Sequence, residues 1–265
     1  MLRALLALTL VATALPARAD TVDPGLQKAI DAPLRLAKNR ARDIYRHPAE
    51  TLSFFGVKPD SVVVEIDPGA AGYWTEILAP YLTAKGRYIA ANPEPTTDEA
   101  KKGDAAFAAK IAADPEAYGR VETSVFSADR FPIAPPGSAD FVLTFRNLHN
   151  WLKSGEAPAS LKAFYAALKP GGVLGITDHR GLANVPQDPQ AKSGYVRQDY
   201  AIHLIEGVGF KFVAASEINA NPKDTKDYPK GVWTLPPTYR LKDVDRAKYQ
   251  AIGESDRFTL KFVKP

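Results

Sequence analysis

An alternation of short apolar runs with helical segments is the feature that most constrains the fold of this chain. The run VVVEI at Val62–Ile66 is β-branched and uninterrupted, as expected for a strand that is buried on both faces of a parallel sheet. Helical segments are predicted at 20–55, 75–82, 97–118, 159–168 and 196–206, and further strands at 86–91, 121–126, 139–145, 173–177, 210–217 and 258–263. This order predicts an α/β fold with a mostly parallel sheet, helices on both faces and a closing antiparallel strand pair.

The first residues, MLRALLALTLVATALPARAD, have the three parts of a cleavable export signal. Arg3 is basic, residues 5–15 are apolar, and Ala17 and Ala19 form an A-x-A cleavage site. We therefore expect a signal peptide at 1–19 and a mature chain that is periplasmic or secreted. An uncleaved anchor or a mis-assigned start is the alternative interpretation. Residues 20–265 are expected to form a single domain with a helical cap at 20–58.

Composition excludes several classes of function. The chain has no cysteine, so disulfides, thiolate catalysis and cysteine-ligated zinc are excluded. Its formal net charge is only +4 and no Lys/Arg stripe interleaves with aromatic residues, so no nucleic-acid partner is expected. The four histidines lack H-x-x-x-H spacing, and we expect no metal site. We expect no integral membrane segment after signal removal, and the oligomeric state is left open.

A glycine-containing turn, DPGAAG at 67–72, follows the first predicted strand. Such a turn between a strand and a helix lets a ligand approach the backbone closely and aims free N–H groups at it. Glu65 lies at the carboxyl end of the strand, where an open sheet places its ligand crevice. Taken alone, this pattern also fits an ordinary structural turn.

The order of motifs resembles the class I S-adenosylmethionine-dependent methyltransferases, whose first-strand signature is an acid, an apolar residue and G-x-G-x-G. Glu65 and Ile66 match its first two places, Asp67 replaces the first glycine, and Gly69 matches the second. The third place falls on Ala71 or, with one inserted residue, on Gly72. The turn LKPGG at 168–172 is the most specific match. Runs at 42–56, 75–82, 146–151 and 256–265 resemble predicted exported methyltransferases of bacteria.

This resemblance implies a seven-stranded Rossmann-like fold, S-adenosyl-L-methionine as the cofactor and a set of site residues. Asn92 stands where an acid usually holds the ribose hydroxyls, and Asp129 where a carboxylate accepts from the adenine amine. The implied cofactor-binding residues are Glu65, Asp67, Gly69, Ala70, Gly72, Asn92 and Asp129. The candidate catalytic residues follow the fourth and fifth strands and are Arg146, Asn147, His149 and His179.

Several of these residues also have plainer interpretations. His149 could make a structural loop bond, and Asp129 could be a turn acceptor. Tyr73 and Trp74 could stack on a ligand, although core packing is favoured. Asp178 or Arg180 could orient His179.

The leading functional hypothesis is S-adenosylmethionine-dependent methyl transfer to an oxygen or nitrogen of a small-molecule acceptor. Two alternatives stay open. One is a non-catalytic periplasmic ligand-binding protein on the same scaffold. The other is an NAD(P)-dependent oxidoreductase, because residues 67–72 match the motif G-x-G-x-x-G except at the first glycine. The acid that this motif requires about 20 residues further on is missing.

Overall fold

A seven-stranded sheet forms the centre of the computed structural model, which describes residues 22–265. Its strands are β1 (Val62–Ile66), β2 (Arg87–Pro93), β3 (Glu122–Phe126), β4 (Ala139–Phe145), β5 (Leu168–His179), β6 (Lys211–Ser216) and β7 (Arg257–Val263). The spatial order is β3-β2-β1-β4-β5-β7-β6. Strands β1 to β5 pair in parallel, and β7 runs antiparallel to both β5 and β6. The predicted fold class is confirmed. The predicted signal peptide lies outside the described residues.

Helices cover both faces of this sheet. They are α1 (Pro24–Ile30), α2 (Ala37–Arg40), α3 (Asp43–Arg46), α4 (Pro48–Phe55), α5 (Thr75–Leu82), α6 (Asp98–Ala113), α7 (Pro115–Tyr118), α8 (Leu148–Ser154), α9 (Ala157–Ala167), α10 (Gln198–Glu206) and α11 (Arg246–Ile252). A short 3-10 helix spans Gly231–Thr234. Within residues 22–265, no helix combines the length and apolarity needed to cross a membrane.

The helical segments differ from the sequence expectations in three places. The predicted helix at 20–55 is four short helices, because Pro48 begins a new one after His47 adopts a left-handed φ of 40°. The predicted helix at 97–118 divides at Asp114, the residue before Pro115. Helices α8 and α11 were not predicted, since each is only seven residues long.

Two apolar layers form the core, one on each face of the sheet. Val64 and Ile66 point towards the layer built by α8, α9 and α10, whereas Val63 points towards the layer built by α1, α4, α5 and α6. Because successive strand side chains alternate between faces, Glu65 shares the face of Val63 and lies under the second layer. The carboxyl ends of the parallel strands meet at one edge of the sheet, which is where such sheets bind ligands.

Candidate functional site

The loop that follows β1 has the backbone conformation of a glycine-rich turn. Asp67, Gly69 and Gly72 adopt φ values of 52°, 68° and 54°. Aspartate is among the few residues that visit this left-handed region readily, so Asp67 can take the place of the family's first glycine. Gly72 rather than Ala71 takes the third place, because Ala71 is not in the left-handed region. No atom lies within 4 Å of the position that a Cβ on Gly69 would occupy, so the backbone there is open to a ligand.

A cavity of about 360 Å³, the first cavity, opens on one side of this loop. That volume lies in the range of small-molecule sites. Its lining comes from the ends of β1, β4 and β5, from the helical cap and from the segment 232–238, and it includes Arg42, Arg46, Glu65, Asp67, Gly69, Ala70, Tyr73, Trp74, Phe145, Arg146, Asn147, His149, His179 and Trp233.

Two aromatic residues beside the loop form part of the wall and leave the first cavity open. Trp74 stacks on Phe145 with ring centroids 4.0 Å apart, and Tyr73 donates from its hydroxyl to Asp43 Oδ1 at 2.5 Å. Both rings are buried. They pack in the core, as the plainer interpretation of the sequence favoured.

A second cavity, of about 390 Å³, lies on the other side of the loop. Its walls include Asn92 at the end of β2 and Phe107 of α6. The two cavities share the loop residues Asp67, Gly69 and Ala70. An extended ligand laid across the loop would therefore reach both cavities.

Glu65 is a buried carboxyl group at the floor of the first cavity. Tyr88 donates from its hydroxyl to Glu65 Oε2 at 2.5 Å, and the same hydroxyl lies 2.8 Å from Thr75 Oγ1. Burial, reinforced by the nearby charge of Asp67, raises the pKa of Glu65 to about 8. The group is therefore mostly neutral at pH 7 until a cation approaches it.

His149 and Asp178 form a buried hydrogen-bonded dyad. The His149 Nδ1 atom lies 2.9 Å from Asp178 Oδ1. The carboxylate also accepts the backbone N–H groups of His149 and His179, each at 2.8 Å. A carboxylate only accepts hydrogen bonds, so Nδ1 carries the imidazole proton and Nε2 is left as a proton acceptor.

His179 occupies a different environment from the one expected. Its Nδ1 atom lies 2.5 Å from Ser255 Oγ, and the side chain of Asp178 contacts the His149 ring rather than that of His179. Burial, together with His149 and the surrounding arginines, holds the pKa of His179 well below its usual value. His179 is consequently neutral at physiological pH.

Several arginines surround a single carboxylate behind the first cavity. Glu254 accepts from Arg42 Nε at 2.5 Å and from Arg257 Nη1 at 3.0 Å, and its Oε2 lies 3.9 Å from Arg46 Nε. Burial opposes ionisation of Glu254, but these charges outweigh it and lower its pKa to about 2. Burial also lowers the pKa of Arg146 to about 10, and the like charges of Arg42 and Arg257 add to this effect.

The structure brings most of the predicted site residues together. Arg146, Asn147, His149 and His179 line the first cavity, as do Glu65, Asp67, Gly69 and Ala70. Asn92 lines the second cavity. Gly72 lines neither cavity, but its left-handed backbone conformation is part of the turn of the loop. Asp129 lies apart, because it is exposed and lines a separate depression with Pro132 and Pro158.

Sequence reasoning missed Arg42, Trp233 and Glu254. Trp233 comes from the 219–253 stretch, which shows no periodic pattern, and its ring lies 5.9 Å from that of His149. Arg42 and Glu254 are 212 positions apart in the chain. Arg46 lies in the run 42–56 that resembles predicted exported methyltransferases, and that run was the available sequence signal for this arginine cluster.

Three of the site residues could be mistaken for a metal centre. Ligand atoms of His149, Asp178 and His179 all lie within 4.8 Å of one another. Both carboxylate oxygens of Asp178 already accept N–H groups, and Arg146, Arg257 and Arg46 all act on His179 electrostatically. This donor set favours a hydrogen-bonded dyad over a cation site.

Strand order, the antiparallel last strand and the loop after β1 together define the fold of the class I S-adenosylmethionine-dependent methyltransferases. A similar solved structure is a SAM-dependent methyltransferase from Aquifex aeolicus, with a TM-score of 0.57, 17% identity, and coverage of 92% of this chain and 100% of that one. Human N-acetylserotonin methyltransferase in complex with SAM has a TM-score of 0.52 at 13% identity, covering 91% of this chain and 55% of that one. No family model matches the sequence, and no curated protein is significantly similar to it.

The [4+2]-cyclase SpnF is another similar structure, with a TM-score of 0.56, 16% identity, and coverage of 86% of this chain and 81% of that one. Its name shows that this fold also occurs in a protein described by a different reaction. The function of this chain must therefore be argued from its own site.

Proposed function

We propose that this protein transfers a methyl group from S-adenosylmethionine to an oxygen or nitrogen of a small-molecule acceptor. The observation that carries this proposal is the open left-handed loop at residues 67–72, which separates two cavities at the carboxyl edge of β1 and β2. An adenosyl compound is extended and needs room on both sides of such a loop. The likeness to methyltransferase structures supports the same placement.

The residues beside the loop suit the parts of this cofactor. Asn92 can donate to and accept from ribose hydroxyls in the second cavity. The backbone of Gly69 and Ala70 is exposed to ligand, and the Glu65 carboxyl can ionise beside a positive charge. When bound, S-adenosylmethionine supplies an electrophilic methyl group on its sulfonium centre.

His149 is the proposed general base for an acceptor that must lose a proton. Its Nε2 atom is free to accept that proton because Asp178 fixes the proton on Nδ1, and the resulting imidazolium is stabilised by the same carboxylate. Methyl transfer itself needs mainly an aligned acceptor at attack distance, which the cavity walls supply.

Asn147 and His179 support this geometry. Asn147 Nδ2 donates to the backbone oxygen of Ile66 at 3.1 Å, so it fixes the end of β1 against the end of β4. Asn147 is therefore a positioning residue. His179, held neutral, forms part of the wall beside His149, with ring centroids 5.0 Å apart.

Calorimetric titration with S-adenosylmethionine, S-adenosylhomocysteine and NAD⁺ in separate experiments tests the proposed cofactor. We expect both adenosyl compounds to bind and NAD⁺ not to bind. If neither adenosyl compound binds at millimolar concentration, the methyltransferase proposal is defeated. Binding of NAD⁺ alone would favour the oxidoreductase.

We also propose that residues 1–19 are removed on export and that the mature protein works outside the cytoplasm. Support comes from the basic, apolar and A-x-A parts of the leader alone. Amino-terminal sequencing of the protein from its native compartment should begin at Asp20. A chain that still begins at Met1 would contradict export by cleavage.

A further inference from the structure

Two guanidinium groups in the wall of the first cavity have no hydrogen-bond partner among residues 22–265. Arg46 has a side chain only 8% exposed, and its Nε atom is buried without a partner. Among the described residues, Glu254 is the one carboxylate that forms an ion pair with it, at 3.9 Å, and its guanidinium carbon lies 4.3 Å from the centre of the Tyr73 ring. Arg146 makes no side-chain hydrogen bond or ion pair to the described residues. Arg46 is buried and Arg146 is half-buried, and a guanidinium that is removed from water without hydrogen-bond partners is costly, so both groups favour an anion.

The carboxylate that lies behind them, Glu254, already binds two other arginines. Glu254 accepts hydrogen bonds from Arg42 and Arg257. The Nη2 atom of Arg42 is also buried and has no hydrogen-bond partner among the described residues. Arg46 is destabilised in its charged form first by burial and then by the nearby charge of Arg146, and its pKa is lowered well below the usual value. An anion between Arg46 and Arg146 would remove that repulsion.

The proposed cofactor does not supply enough negative charge for this cluster. S-adenosylmethionine carries one carboxylate against an ammonium and a sulfonium, so it is a net cation. Its carboxylate can accept from these guanidiniums, but its two positive groups add to the positive charge of the cavity. Binding of the cofactor alone would therefore add net positive charge to a cavity that Arg42, Arg46 and Arg146 already line. The surplus therefore points to a second ligand that is negatively charged.

One part of the wall of the first cavity is apolar and lies beside the proposed base. Trp233 is half-buried, its ring lies 5.9 Å from that of His149 in a T-shaped arrangement, and Val232 and Pro236 continue the same wall. A flat apolar body can lie against this surface while its acidic group reaches the arginines. Arginine forks bind carboxylates and phosphates in the same planar manner, so both acids suit the pair.

We propose that the methyl acceptor is an organic anion with an apolar body, whose carboxylate or phosphate is bound by Arg46 and Arg146 while its hydroxyl or amine faces His149. This inference rests on the proposed methyl transfer. In the step, the acceptor atom forms a bond to the methyl carbon and its proton passes to His149 Nε2. The electron pair of the broken sulfur–carbon bond stays on sulfur, which leaves a neutral thioether.

A matched set of probes tests the preference for an anion. 4-Hydroxybenzoate, phenyl phosphate and the neutral isostere 4-hydroxybenzamide are titrated calorimetrically into the full mature chain, with and without saturating S-adenosylhomocysteine. We expect at least one anion to bind about tenfold or more tightly than the amide, as charge-assisted hydrogen bonds do. The anion that binds more tightly indicates whether the acidic group of the acceptor is a carboxylate or a phosphate.

Arg146→Gln should abolish this preference without unfolding the protein, and Arg46→Gln is the second variant should the first fail to fold. Arg87→Gln is the control, because Arg87 lies at the opposite edge of the sheet and pairs with exposed Glu122. Equal affinities for anion and amide, or no anion binding at millimolar concentration, would overturn the inference. Anion preference without S-adenosylmethionine binding would instead remove only the proposed methyl transfer.

Discussion

The state of one carboxyl group, Glu65, connects the fold to the proposed chemistry. Burial favours the neutral form of Glu65, whereas a cation that binds beside it would favour the ionised form. Because its pKa is about 8 in the folded protein and 4.5 in a model peptide, ionisation opposes folding. The stability contribution is fully present below pH 4.5 and is lost as the pH rises towards 8.

Replacing Glu65 with glutamine should remove this pH dependence. Glutamine keeps the oxygen that accepts from Tyr88 but cannot ionise. Between pH 5 and 8 the free energy of unfolding of the wild type should fall relative to Glu65→Gln by on the order of 3 kcal/mol. Urea denaturation at several pH values measures the difference. Parallel curves for the two proteins would show that folding does not raise the pKa of Glu65.

The same residue should also make cofactor binding depend on pH. A cationic cofactor stabilises ionised Glu65, so binding at pH 7 should release a proton and affinity should rise towards pH 8.5. Calorimetry in buffers of different ionisation enthalpy counts the released protons. Glu65→Gln should bind with no proton release from this group. A wild type that takes up protons on binding would contradict the interpretation.

The tautomer of His149 is a second residue-scale prediction. Asp178 should hold the proton on Nδ1, and nitrogen-15 NMR should show one tautomer for the neutral imidazole. Asp178→Asn should let the two tautomers mix. His179 provides an internal comparison, because its ring should stay uncharged at pH 6.5. A protonated Nε2 on neutral His149 would remove it as a general base.

At the scale of elements, Asp43 of the helical cap accepts a hydrogen bond from Tyr73, which lies just before α5. Its carboxylate accepts from Arg35 Nη1 and Nη2 at 2.7 and 2.8 Å and from the Tyr73 hydroxyl. Asn39 also donates from its side chain to the backbone oxygen of Ala71 at 3.1 Å. The cap thus fixes the outer side of the loop and places Arg46 over the first cavity.

Removing the carboxylate of Asp43 should cost far more than removing an exposed one. Asp43→Ala leaves the fully buried Arg35 side chain without its main partner, with an expected loss of about 3 kcal/mol. Glu122→Ala breaks a pair whose side chains are 45% and 49% exposed, with an expected loss below about 1 kcal/mol. Urea midpoints compare the two variants. Equal losses would mean that the cap is not anchored through Asp43.

Elements with a strong local pattern were predictable from sequence, and those defined by distant contacts were not. Strands β1 and β4 have the predicted bounds, because a strand buried on both faces is a continuous apolar run. The cap helices and α11 take their conformation from packing against the rest of the chain. His149 and Asp178 were each visible in the sequence, but their pairing across 29 positions was not.

At the scale of the whole molecule, charge is distributed unevenly around an ordinary average. The chain carries a formal net charge of only +4, yet arginines converge on one side of the first cavity. A bulk charge count cannot reveal such a cluster, because it depends on α3, β4 and β7 meeting at one place. The same convergence brings together the loop at residues 67–72, the dyad of His149 and Asp178, and the proposed anion site.

The most direct test of the proposed cofactor site is a crystal structure of the complex with S-adenosylhomocysteine. We predict that the thioether sulfur lies in the first cavity beside the 67–72 loop, with the ribose near Asn92 in the second cavity. Ligand bound elsewhere would contradict the proposal. So would a structure, grown at millimolar ligand, in which Tyr73 or Trp74 fills the first cavity and no ligand is bound.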